Sequence, residues 1–125
     1  MLQCPDTVVL IYVGKLPDFH QVRARGLWRL QVRFKQRCLR QFGTLPFQEQ
    51  RFAHVRVTRV LGARERLMDE DKNLQLACGG AIDALVSGGY LRDDSPADAI
   101  FEFHQDPARR AMGPRLEIHI SYAPG

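Results

Sequence analysis

Asp69-Glu70-Asp71-Lys72-Asn73-Leu74, then Ala81-Ile82-Asp83-Ala84-Leu85, then Gly89-Tyr90-Leu91-Arg92-Asp93-Asp94-Ser95-Pro96 is the stretch on which the reading of this chain turns. Asp69, Glu70, Asp71, Asp83, Asp93 and Asp94 all fall within it. Carboxylates two residues apart at the end of an extended run point to the same side, because side chains alternate across a strand. Asp69 and Asp71 are therefore a pair. A helix that begins directly after them and stops at Gly88-Gly89 can return Asp93 and Asp94 towards that pair. Clustered carboxylates repel one another, and a hard divalent cation with oxygen ligands, Mg²⁺ or Mn²⁺, relieves the repulsion.

Outward from this stretch, the charge is unevenly divided. The chain has 125 residues and a net charge of +4, but residues 1–66 carry 13 Lys+Arg against 4 Asp+Glu, and residues 67–125 carry 5 against 10. Only Lys15, Lys35 and Lys72 among the basic residues are lysines. Arginine's planar fork matches phosphate better than a point charge does, so the basic half points to nucleic acid. The length fits one domain, 1–125. The longest apolar run, Val8 to Val13, is too short to cross a bilayer, and the N-terminus lacks a signal-peptide pattern. Cys4, Cys38 and Cys78 fit neither a disulfide framework nor a zinc site, and we expect a reducing, cytoplasmic setting.

The periodicity predicts a buried strand over 7–14, a helix over 27–42, a strand over 52–61, a helix over 73–87, and strands over 98–104 and 115–122. This is an α+β fold: a small mixed β-sheet with two main helices, in the order β-α-β-α-β-β. On the first helix Leu27, Leu30, Phe34, Cys38 and Phe42 share one face, and Arg29, Arg33, Arg37 and Arg40 the other. No acid occurs between Asp18 and Glu49 to pair with that stripe, which makes a phosphate backbone its expected partner. Arg23, Arg25, Arg64 and Arg66 extend the basic set. Trp28 is expected in the core rather than as a base-stacking platform. Gly79-Gly80 in mid-helix costs about 1 kcal/mol per glycine, so something must approach closely there, the sheet or a ligand backbone. The four histidines are dispersed and read as solvent-facing strand residues.

The ordered set Asp69-x-Asp71, Asn73-Leu74, Asp83-Ala84-Leu85, Gly89 and Asp93-Asp94-Ser95-Pro96 resembles the RusA family of Holliday-junction resolvases, small Mg²⁺-dependent endonucleases of phages and bacteria. Looser likeness covers most of the chain; the specific motifs occupy about 28 residues. The resemblance implies a homodimeric hydrolase of DNA recombination and repair, bacterial or phage-encoded, that cuts four-way DNA junctions by paired nicks. It further implies that Asp69, Asp71 and Asp94 are catalytic and hold Mg²⁺ (or Mn²⁺), with Asp83, Asp93 and Asn73 in support. The family reads D-N without an intervening residue and carries a lysine on the helix that follows. Here Lys72 separates Asp71 from Asn73, and Leu76 to Gly80 contain no lysine, so Lys72 is expected to take that catalytic role. The alternative expectation is a lapsed member that binds branched DNA without cutting it.

Overall fold

The structure is a computed structural model that describes residues 6–17, 24–45, 51–68 and 71–123; the side chains of residues 24, 25, 71 and 72 are outside that description. Strands β1 (Thr7–Val13), β2 (Ala53–Val60), β3 (Ala99–Asp106) and β4 (Arg115–Tyr122) form one sheet in the order β1-β4-β2-β3. Helix α1 (Ala24–Phe42) follows β1, and helices α2 (Asp71–Ala77) and α3 (Gly79–Ser87) connect β2 to β3. The fold is thus α+β with a mixed sheet, as the periodicity predicts.

β2 and β3 run parallel, which demands a crossover longer than a hairpin, and α2–α3 supply it. β4 lies antiparallel to both β1 and β2. Its alternation places Leu116, Ile118 and Ile120 on the helix-covered face, opposite Tyr12, Leu10 and Val8 of β1. Val57 and Val55 of β2 meet Ile118 and Ile120 on the same face. Phe34 and Cys38 of α1 close over this layer, and the Tyr12 and Phe34 rings meet edge to face with centroids 5.0 Å apart.

Three expectations are corrected. β1 reads as fully buried from its apolar run, but it pairs only with β4, at the sheet edge, and Val9, Ile11 and Val13 look outward and are exposed. The helix over 73–87 begins at Asp71 and is interrupted at Cys78, although the bonds Cys78 N–H to Leu74 O and Ile82 N–H to Cys78 O carry helical pairing across the break. What approaches Gly79-Gly80 is neither the sheet nor a ligand but α1. A Cβ on Gly80 would lie 2.8 Å from the carbonyl oxygen of Gln31 and 3.1 Å from the Lys35 nitrogen. Glycine here lets two helix backbones touch.

Candidate functional site

The stretch from Ser87 to Asp94 turns back on itself through a glycine in the left-handed region, Gly89, at φ 86°. Gly89 N–H donates to Val86 O and Tyr90 N–H to Leu85 O, closing the end of α3. Tyr90 then anchors the returning chain: its hydroxyl donates to the Phe42 carbonyl at 2.7 Å, and its own carbonyl accepts from the Tyr122 hydroxyl at 2.8 Å. Leu91 is buried beneath the turn. With these residues fixed, Asp93 and Asp94 emerge at the surface on the side of α3 that carries exposed Asp83.

Asp94 feels the other two acids. Asp93 Oδ1 accepts a hydrogen bond from the Asp94 backbone N–H at 2.8 Å. The Asp94 carboxyl is held above its ordinary value, first by desolvation, then by its hydrogen bond with Asp93 and by the negative charges of Asp93 and Asp83. None of the groups acting on it is cationic. Ser95 Oγ donates to Asp98 Oδ2 at 3.1 Å and ties this loop to the start of β3.

The chain leading to the Asp pair is held from the sheet. Gln105 of β3 bonds both backbone groups of Met68, at 2.9 and 3.0 Å. Arg59, in register with Gln105 on β2, donates to Gln105 Oε1 at 2.8 Å and to the Arg66 carbonyl at 3.0 Å, and pairs with Glu65 at 3.4 Å. Arg110 donates to the carbonyls of Gly62 and Glu65, each at 2.6 Å. Sequence reasoning passed over Arg59, Gln105 and Arg110. The available signal was an arginine and a glutamine at inward positions of two strands, where a polar side chain needs internal partners.

Asp69 and Arg23 lie outside the described residues, as does Glu70. Asp71, Lys72 and Arg25 are described only as helical backbone. Asn73 is exposed in the first turn of α2. Arg29, Arg33, Arg37 and Arg40 are all exposed along α1, and none makes an ion pair among the described residues. Arg37 Nε donates to the Tyr12 hydroxyl at 3.2 Å, and Arg40 Nε approaches the Gln36 carbonyl at 3.5 Å. Arg64 and Arg66 are exposed on the loop after β2. Trp28, expected in the core, is 68 % exposed, because α1 turns Phe34, Cys38 and Phe42 inward and leaves this position outside that stripe.

Among the described residues no three His, Cys, Asp or Glu side chains are grouped closely enough to hold a metal ion. The acids that bear on the Asp94 carboxyl, Asp93 and Asp83, are like it oxygen donors, the chemistry that suits Mg²⁺ or Mn²⁺. Cys78 is no competitor: it is buried, and desolvation pushes its thiol up to about 12. A separate cleft of ≈ 440 Å³ opens on the uncovered sheet face between Arg56, His104, Asp106, Arg109, Glu117 and His119. It contains none of the motif carboxylates. Its own acids are already neutralised, Asp106 by Arg109 at 2.6 Å and Glu117 by Arg109 at 2.7 Å and by Arg115. This cleft is therefore separate from the acids at Asp94. No described helix is long and apolar enough to cross a membrane. No protein-family model matches the chain, and no curated protein matches it.

Proposed function

We propose that the protein is a Mg²⁺-dependent, structure-selective DNA endonuclease that resolves four-way junctions by paired nicks and acts as a homodimer. The observation that carries the reading is the return of the chain at Gly89, which brings Asp94 under the negative charges of Asp93 and Asp83, with no cation of the described residues among the groups that act on its carboxyl. A divalent cation would relieve the negative charge that Asp93 and Asp83 place on Asp94. Asp94, with Asp69 and Asp71, would hold the ion. When bound, Mg²⁺ supplies charge neutralisation at the scissile phosphate and activation of water.

The chain's own residues do the rest. The unpaired α1 arginines hold the DNA backbone through its phosphates without reading sequence. Gln105, Arg59 and Arg110 fix the loop that delivers the Asp pair. Homodimerisation supplies the second cut, since resolution needs matched nicks on two opposed strands.

The test is cleavage of a labelled four-way junction and of its linear duplex arms with Mg²⁺, Mn²⁺ or EDTA, using the wild-type protein, Asp71→Asn and Asp94→Asn. Paired nicks on opposed junction strands, abolished by EDTA and by either substitution, are the expected result. A second reading, a junction-binding protein that does not cut, draws on the turn from Leu76 to Gly80. There Ala77 and Cys78 are buried and Gly80 is packed on α1, so no charged side chain is presented where the family carries its lysine. Tight junction binding with no product in either metal would favour it.

A further inference from the structure

We infer that Trp28 is a stacking platform for an exposed base face, so that the nucleic acid held by α1 is one whose base stack is broken, at the centre of a branch point or in a single strand. The inference rests on the proposed nucleic-acid reading and adds to it the kind of DNA that the basic helix takes. Three observations lead to it.

The indole is 68 % exposed on a helix whose other exposed residues are Arg29, Arg33, Arg37 and Arg40 together with Gln36 and Gln41. Arg29 and Arg33 make no hydrogen bond or ion pair among the described residues. The only described contacts of the stripe lie further along, at Arg37 and Arg40. The N-terminal half of α1 therefore combines a flat aromatic surface with uncommitted positive charge, the two elements of a surface that binds single strands: phosphates pair with the cations and base faces stack on the ring. Complementary charge selects a polyanion over an apolar partner for this face.

Position supplies the third observation. Gln31 and Lys35 meet Gly80 at the start of α3, and Gly43 at the far end of α1 lies against Gly88 at the far end of α3. The two helices therefore run side by side in the same direction. Trp28, three residues before Gln31, stands at the end where α2 joins α3, which is the end nearer the motif that opens at Asp71. Inside an intact duplex every base face is covered by its neighbours, and the ring has nothing to stack on. Only a break in the base stack offers it a partner.

Trp28 is the sole tryptophan of the chain, so its emission reports this position alone. The experiment titrates the protein in EDTA with a single-stranded oligonucleotide, a four-way junction and a blunt duplex, each end-labelled, following tryptophan emission and the anisotropy of the label together. Stacking predicts strong quenching by the single strand and the junction and little by the duplex. Trp28→Ala should weaken single-strand binding about ten- to a hundredfold while changing duplex binding less than about twofold, and Trp28→Phe should restore part of the loss. Bound single strand or junction, seen by anisotropy, with unchanged emission would overturn the stacking role and leave the nucleic-acid reading standing. Emission that shifts with protein concentration in the absence of DNA would also overturn it, placing Trp28 in a contact between copies. No anisotropy change with any DNA would instead remove the nucleic-acid reading itself, and this inference with it.

Discussion

The side-chain amide of Gln105 bridges both backbone groups of Met68: Met68 N–H donates to Oε1 at 2.9 Å and Nε2 donates to the Met68 carbonyl at 3.0 Å. A strand residue thus imitates the edge of a neighbouring strand and fixes the last described turn before Asp69. Gln105→Leu removes both bonds and takes one of the partners of the Arg59 guanidinium, which donates to the same Oε1 and keeps the Arg66 carbonyl and Glu65. Leaving partly buried polar groups unpaired costs about 1–3 kcal/mol. The expected outcome is a lowered denaturant midpoint, with amide exchange accelerated first over residues 61–68. Exchange spread evenly over the sheet would show that the bridge does not hold this loop in particular.

Gly80 and Gly79 make opposite predictions. A methyl group at Gly80 meets the Gln31 carbonyl at 2.8 Å and the Phe34 ring edge at 3.0 Å, whereas at Gly79 the nearest atom is Gln31 Nε2 at 3.4 Å, the end of a flexible side chain. Gly80→Ala should destabilise by about 1–3 kcal/mol by forcing α1 and α3 apart. Gly79→Ala should be neutral or stabilise by up to about 1 kcal/mol through helix propensity. Thermal unfolding of the two variants distinguishes them, and equal effects would contradict the packing described.

The glycine pair also shows how far the sequence could be read. That something must approach Gly79-Gly80 follows from the helix-propensity cost alone; that it is Gln31 follows only from tertiary packing. β4 was legible to its ends, because inward Leu116, Ile118 and Ile120 alternate with Arg115, Glu117 and His119 on the face that the helices leave uncovered, where Glu117 is nonetheless buried against Arg109 and Arg115. β1 was legible as a strand and not as an edge, since unbroken Val8 to Val13 reads the same in either place and strand order is decided by pairing with a segment over 100 residues away. In the site, the Gly-Gly stop was enough to expect a returning chain. Arg59 was invisible as a brace, because its partners are the carbonyl of Arg66, a glutamine of β3 and Glu65. Trp28 was misread because burial was inferred from residue type, whereas the apolar stripe of α1 excludes its position.

Asp94 makes a prediction about pH. Its carboxyl is raised above the ordinary 3.8, so the folded protein binds more protons than the unfolded chain between that value and the raised one. Stability therefore falls as pH rises through this window, and the penalty is fully present above it. Asp94→Asn removes the ionisation, so the variant's unfolding should be less sensitive to pH across the window and its stability at neutral pH equal to or slightly above wild type. If the cluster holds Mg²⁺, adding Mg²⁺ at pH 7 should raise the wild-type melting temperature and leave the variant unmoved. A wild-type melting temperature indifferent to Mg²⁺ would argue against metal binding at these acids.

Glu117 has the opposite sign. It is buried and accepts from Arg109 at 2.7 and 3.1 Å and from Arg115, and these hydrogen bonds hold its carboxyl below the ordinary range. Its stabilisation is present above the unfolded value and lost as pH falls through the lowered one. Glu117→Gln keeps the shape, removes the charge, and leaves two arginines facing a neutral amide. A loss of about 2 kcal/mol at pH 7 is expected, shrinking as the wild-type carboxylate is itself protonated in acid. Urea unfolding at neutral and acidic pH checks both the size and the convergence; a difference that does not shrink would mean that packing, not charge, is what Glu117 contributes.

The last prediction concerns salt. If α1 meets DNA through phosphates, each contact releases a counterion, and the logarithm of the binding constant falls linearly with the logarithm of salt concentration, with a slope of about 0.9 per contact. Arg29 and Arg33 are exposed and make no ion pair among the described residues, so replacing them removes DNA contacts without breaking a described internal one. Arg29→Ala with Arg33→Ala should reduce the slope by roughly 1.8 on duplex and roughly 1.4 on a single strand and weaken single-strand, duplex and junction binding alike, with unfolding unchanged to within about 0.5 kcal/mol. This differs in kind from the Trp28 substitution, which acts only on DNA whose base stack is broken. An unchanged slope would place the phosphates elsewhere, and the loop arginines Arg64 and Arg66, exposed after β2, would be the next pair to replace.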